Sequence, residues 1–238
     1  MIDRLDLIRE LDQILQIFDN KKTSLLNIQK RAQNDARVTF YKHSLNTLDS
    51  TIHFLIFTHK HLGNTTWWKE TYIDYNLSNR SFAKKPEDNY PREFDYIDQH
   101  IGNSYYIFIF SSFEHSFRLI SKEYDPTSFE QNKNSFESLF KNIIKGIIPT
   151  ENKNNFIEIA TTIRNSIHNN GAYISRNSKD RPIIDWDGKL YRFNHQKPIE
   201  TDLWKLNLDF TRELLHIFDK IIEHQSIASK RYIYDSTE

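Results

Sequence analysis

The chain predicts a mainly α protein: a helical bundle with an N-terminal helical extension and a β-hairpin inserted before the last helix. Three observations predict it. Apolar residues recur at three- and four-residue spacing along most of the 238 residues. Only five glycines and six prolines interrupt them, so turns are few and helices long. One short stretch alternates instead, around an Asp187-Gly188 pair of the kind favoured in two-residue hairpin turns.

Taken in order, Leu5, Ile8, Leu11, Leu15 and Phe18 predict a first helix near 2–32. Leu45, Leu48, Ile52 and Leu55 predict a second near 35–62, ended by His61-Leu62-Gly63-Asn64. Periodicity is then lost over 64–95, where Trp67, Trp68, Tyr72, Tyr75, Phe82 and Tyr90 stand among polar residues and two prolines. This connection sets the expected division into an N-terminal helical segment, 1–95, and a helical domain, 96–238. The run Tyr105 to Phe110 has strand propensity, yet Tyr106, Phe110, Phe113, Phe117 and Ile120 keep a 4-3-4-3 spacing. Five residues at that spacing predict a helix near 96–123, stopped by Asp125-Pro126. Phe136, Leu139, Phe140, Ile143 and Ile144 give a shorter helix ending around Lys145-Gly146. Phe156, Ile159, Ile163 and Ile167 stripe the next. Ile184 and Trp186 then share one face of the hairpin with Tyr191 and Phe193. Leu203 to Ile221 trace a last helix over about 201–224, and the tail from Ala228 reads as frayed.

Composition narrows the function. Lysine and arginine together number 32, as do aspartate and glutamate, so the chain carries no broadly basic coat and any nucleic-acid contact must be a local patch. The absence of cysteine excludes disulfides and thiolate metal sites and suits a cytoplasmic setting. The N-terminal residues are acidic from Asp3, unlike a signal peptide, and the longest apolar run is far too short to span a bilayer. No membrane association and no cofactor are expected. Glycine is too sparse for a phosphate-binding loop, and His53, His59 and His61 lack the spacing of a helical metal site. His115, His195, His216 and His224 have no recognisable neighbour pattern.

The segment Ile163-Arg164-Asn165-Ser166-Ile167-His168-Asn169-Asn170-Gly171 carries the chemistry. Four residues apart on a helix, Arg164 and His168 fall on one face, about 6 Å apart along the axis. A permanent cation that grips phosphate beside a group that titrates near neutrality suits phosphodiester chemistry. Arg-Asn followed closely by His at the end of an apolar-striped helix resembles the signature of the HEPN superfamily of helical domains. The order helix, helix, motif helix, hairpin, helix over 96–224 is similar to theirs. Family ribonucleases space the arginine and histidine more widely than the three residues here.

The resemblance implies a metal-independent endoribonuclease in which a ribose 2′-hydroxyl attacks its own phosphate and leaves a 2′,3′-cyclic phosphate. His168 would transfer the proton and Arg164 would stabilise phosphate charge. Asn165 would orient the arginine or donate to a phosphate oxygen. Glu114 would hold Arg164 or His168 from the first core helix, its alternative being a local pair with Arg118. The family also implies RNA as partner, a homodimer with two motifs facing one cleft, and a toxin–antitoxin or antiviral defence setting with its antitoxin or defence-system partner protein. Two other readings stay open: a non-catalytic HEPN-like RNA-binding or protein-interaction module, and an unrelated helical scaffold whose Arg164 and His168 merely cap a helix. The aromatic connection stacks bases or pins its own loop to the bundle, and the Trp186 hairpin is an RNA-facing flap or a cover over a helical face.

Overall fold

A computed structural model of the protein describes residues 3–61, 64, 66–67, 70, 90–149, 153–169, 171–175, 177–199 and 203–237, with the backbone alone for 90–94. Most of the aromatic connection, including Trp68, Tyr72, Tyr75 and Phe82, lies outside the described residues, as does Asn170. The helices are α1 (Arg4–Thr23), α2 (Ala36–His61), α3 (Tyr90–Tyr124), α4 (Pro126–Asn132), α5 (Phe136–Ile147), α6 (Asn154–His168), α7 (Leu203–Glu223) and α8 (Gln225–Ala228). Between α6 and α7 stand the strands β1 (Arg181–Trp186) and β2 (Lys189–Phe193). The described residues are mainly helical, with one antiparallel hairpin before the last long helix, α7, as the periodicity predicts.

Helix starts follow local chemistry. The Asp3 carboxylate accepts the Leu5 and Asp6 amides, Asp125 accepts that of Ser128, and Ser135 that of Ser138. α3 lies at the centre, packed on α2 and α7, with α1 against α2 and α7. Tyr106, Phe110, Phe113, Phe117 and Ile120 are all buried along it, so the ambiguous stretch is indeed helical. Phe40, Phe113 and Phe218 form one ring cluster joining α2, α3 and α7, with centroids 4.1–6.2 Å apart. The hydrophobic core therefore runs without a break from α1 and α2 into α3–α7.

In the hairpin, Asp187 (φ 52°) and Gly188 (φ 70°) both take positive φ, the pattern of a type I′ turn. Ile184 pairs with Tyr191, and Trp186 packs its ring on Phe156 of α6 and Phe210 of α7. Arg181 ties the base of the hairpin to α6 through Glu158 and Thr162.

Two expectations are corrected. The first helix does not reach residue 32. It ends at Thr23, continues as one π-turn over Ser24–Ile28, and breaks before Lys30, which adopts a φ of 55°. Beyond Phe18 only Leu25 is buried in that stretch, and Arg31 turns away to donate to the carbonyls of Ala228, Lys230 and Arg231.

Nor is the tail frayed. Residues 230–237 fold back against the start of α2, where Ile233 and Asp235 are fully enclosed. The Ile233 carbonyl accepts the Ala36 amide, and the Asp235 amide donates to the Asn34 carbonyl. Behind this strap sits a buried polar node. Arg37, 1% exposed, grips Asp35 through Nε (2.7 Å) and Nη2 (2.5 Å) and donates from Nη1 to Ile227 and Lys230 carbonyls. Asp235 accepts from Thr39 Oγ1 at 2.9 Å, from His115 Nε2 at 3.0 Å, and from the Thr237 amide and hydroxyl. Burial works to raise the Asp235 pKa, but the hydrogen bonds from Thr237, His115 and Thr39 overcome it and hold the carboxyl at about 2.

Candidate functional site

α6 and α3 bring Arg164 and Glu114 together. On α6 the stripe Phe156, Ile159, Ala160 and Ile163 is buried, which leaves Arg164 at its edge, half-buried and turned onto α3. Its Nη1 lies 3.2 Å from Glu114 Oε2, and its guanidinium stands over the Phe110 ring, 5.7 Å from the centroid. The Nε is enclosed and has no hydrogen-bond partner among the described residues. Glu114 also binds Arg118, whose Nε and Nη2 donate to Oε1 at 3.0 and 2.7 Å. Of the partners expected of Glu114, Arg164 and Arg118 are bound at once and His168 is not among them. Two guanidiniums share one carboxylate, and the cluster keeps one net positive charge.

Beneath it, burial pushes the Tyr106 phenol well above its ordinary pKa, the nearby Arg164 cation pulling back only in part. The neutral hydroxyl donates to the Ala160 carbonyl at 2.8 Å and fastens α3 to α6 one turn before the arginine.

His168 is the last residue of α6, exposed, with no hydrogen bond to its ring among the described residues. The helix closes at Gly171, whose φ of 82° suits the left-handed cap and whose amide donates to the Ser166 carbonyl at 2.8 Å. Positions 164, 167, 168 and 171 share one helical face. On that face Ile167 and Gly171 line a cavity of about 560 Å³ whose opposite wall is α3, from Tyr96 to Phe108. That wall carries His100, a second imidazole opposite the end of the motif helix. Sequence reasoning missed it: His100 lies near the start of α3, outside the apolar stripe, and only packing of α3 on α6 sets it opposite the motif. Arg164 and His168 themselves line none of the described cavities.

Asn165 does not join them. It is exposed about 100° round the helix from Arg164, lining a separate polar cavity of about 460 Å³ with Thr162, Tyr173 and Arg181. Among the described residues its side chain carries no hydrogen bond, while its backbone carbonyl accepts from the Asn169 side-chain amide at 2.9 Å. Among the described residues no cluster of acidic, histidine or cysteine side chains is arranged to hold a metal ion. No helix among them is long and apolar enough to cross a membrane.

Comparison with known proteins yields no match, whether to a protein-family model, to a curated protein or to a solved structure.

Proposed function

We propose that this protein is a HEPN-like endoribonuclease that cleaves RNA by 2′-hydroxyl transesterification without a metal ion. The observation that carries the reading is the Glu114–Arg164 bridge between α3 and α6, one turn before an exposed His168 at the helix end. Glu114 fixes the guanidinium. Because it is shared with Arg118, it leaves positive charge over for a phosphate. Arg164 stabilises charge on the non-bridging oxygens, and His168 takes the 2′-hydroxyl proton.

The reaction also needs an acid for the leaving 5′-oxygen, and a homodimer supplies it as the second copy of His168. In support of self-association, an apolar groove of about 760 Å³ between α2 and α3 exposes Phe54, Phe57 and Phe108. It shares Tyr96, His100 and Phe108 with the cavity beside the motif. A second copy seated there brings two motif ends towards each other.

The test is incubation of purified protein with total RNA in excess chelator, with termini mapped. Cyclic-phosphate ends, lost in Arg164→Ala and His168→Ala proteins that remain folded, support the reading, and no cleavage by the wild type overturns it. One observation favours the non-catalytic module instead. Arg164 is turned onto Glu114 and Phe110 while His168 points into solvent, so within one chain they do not converge. RNA binding that depends on Arg164, without cleavage, supports that module.

A further inference from the structure

A second open cleft, of about 640 Å³, lies between β2, the return segment 194–199 and the first turns of α7. Four cationic side chains line it, Lys189, Arg192, Lys197 and Lys205, against one carboxylate, Asp209. That carboxylate is already engaged by Lys189 at 2.5 Å. Arg192 and Lys197 are exposed, and among the described residues their side chains carry no hydrogen bond or ion pair. Strand alternation explains the arrangement: Tyr191 and Phe193 are drawn into the core, which leaves Leu190 and Arg192 facing out. With Lys189 paired to Asp209, and with Asp187 also acting on Tyr191 of the cleft wall, the positive charge the cleft offers to a ligand is that of Arg192 and Lys197.

The cleft is stitched to the motif. Ala172 and Pro198 form a backbone bridge, the Tyr173 amide donates to the Lys197 carbonyl at 3.1 Å, and the Ile199 amide donates to that of Gly171 at 3.3 Å. The wall that carries Lys197 is therefore bonded to residues 171–173, which begin three residues beyond His168.

We infer that this cleft binds the phosphate backbone of single-stranded RNA and leads the strand to the end of α6. The choice of RNA rests on the ribonuclease reading and deepens it by giving the strand's path. The cations come from three separate chain segments rather than converging on one point, which suits a repeated anion over a single phosphate. Leu190, 62% exposed, offers an apolar surface to bases at the rim.

The experiment follows anisotropy of a labelled oligouridine of about 20 nucleotides, with His168→Ala protein so that the probe survives, between about 50 and 200 mM salt. Each phosphate contact on a single strand contributes about 0.7 to the salt slope. The added double substitution Arg192→Gln/Lys197→Gln is expected to make the slope shallower by about 1.4 and to weaken binding about fifteenfold near 0.15 M salt. A matched Lys22→Gln/Lys133→Gln double, on α1 and after α4, is expected to leave both unchanged. Equal losses in the two doubles, no loss in the first, or duplex DNA bound as tightly with the same dependence overturns the inference.

Cleavage assays separate the two claims. A cleft double that cuts RNA with unchanged affinity removes the cleft and leaves the ribonuclease reading standing. Cleft-dependent RNA binding by a protein whose wild type cuts nothing does the reverse.

Discussion

Replacing Asp35 by alanine is expected to destabilise the protein by about 4 kcal/mol. The carboxylate is wholly enclosed and accepts four hydrogen bonds, from Arg37 Nε, Nη2 and backbone N and from the Ile233 amide. Its removal strands a guanidinium that is 1% exposed, and a buried charge stripped of its partner costs about 3–5 kcal/mol. Asn34 and the tail still hold the backbone, so the effect is electrostatic rather than a loss of register. For a chain of this size about 4 kcal/mol lowers Tm by roughly 8–16 °C. Arg37→Met alone is expected to cost as much, since it leaves the wholly enclosed Asp35 carboxylate without its cation, with only the residue-37 and Ile233 backbone amides still donating to it. The double Asp35→Ala/Arg37→Met removes both charges together and is expected to cost only about 2–3 kcal/mol, less than either single change. Urea denaturation with an unchanged m-value is the assay. A loss below about 1 kcal/mol for Asp35→Ala, or a double equal to the sum of the singles, refutes the reasoning.

Glu114→Gln is expected to cost about 0.5–1.5 kcal/mol in stability while RNA affinity is kept and cleavage falls at least about tenfold, because Arg164 loses its anchor but not its charge. Paired binding and cleavage assays check it, and a parallel loss of both contradicts the positioning role. Asp235 contributes stability that is fully present above its ordinary pKa of 3.8 and is lost as pH falls towards about 2. The full gap corresponds to about 2.4 kcal/mol, and solvent reaching the partly exposed His115 side reduces the expected effect to about 1–2 kcal/mol. Asp235→Asn is expected to abolish that part of the pH dependence in urea titrations between about pH 5 and pH 2. Gly188→Ala forces a side chain into the φ of 70° at the hairpin tip and is expected to cost about 1 kcal/mol in the same assay.

The helices were legible because burial imposes a period on the sequence. Along α3 that period outweighed the strand propensity of Tyr105 to Phe110, and the buried side of the helix is the stripe the spacing defined. The Asp187-Gly188 turn was legible for another reason, since few residue pairs supply two positive φ angles in succession. The strap was not. Ile233 and Asp235 follow no period, and what buries them comes from Asp35 and Thr39 at the far end of the chain. Arg37 is hidden in the same way, since the Ile227 and Lys230 carbonyls it binds lie at the other end of the chain. At the candidate site the sequence brought Arg164 and His168 to one face and set Glu114 as a tether. It could not give the sharing of Glu114 with Arg118, nor the position of His100, which depend on how two helices pack.

The strap also bears on the order of events in folding. Arg31 and Lys230 are separated by 199 positions, and closing so long a loop in an otherwise unstructured chain costs about 5 kcal/mol of entropy. The α1–α2 pair and the α3–α7 packing can bring those ends together, so the seam between residues 31–39 and 227–237 is expected to close late. Contacts absent from the transition state govern how fast a native chain comes apart, not how fast it assembles. The polar node at the start of α2 is thus expected to act as a clasp on an already built bundle, setting the lifetime of the folded molecule more than the speed of its formation.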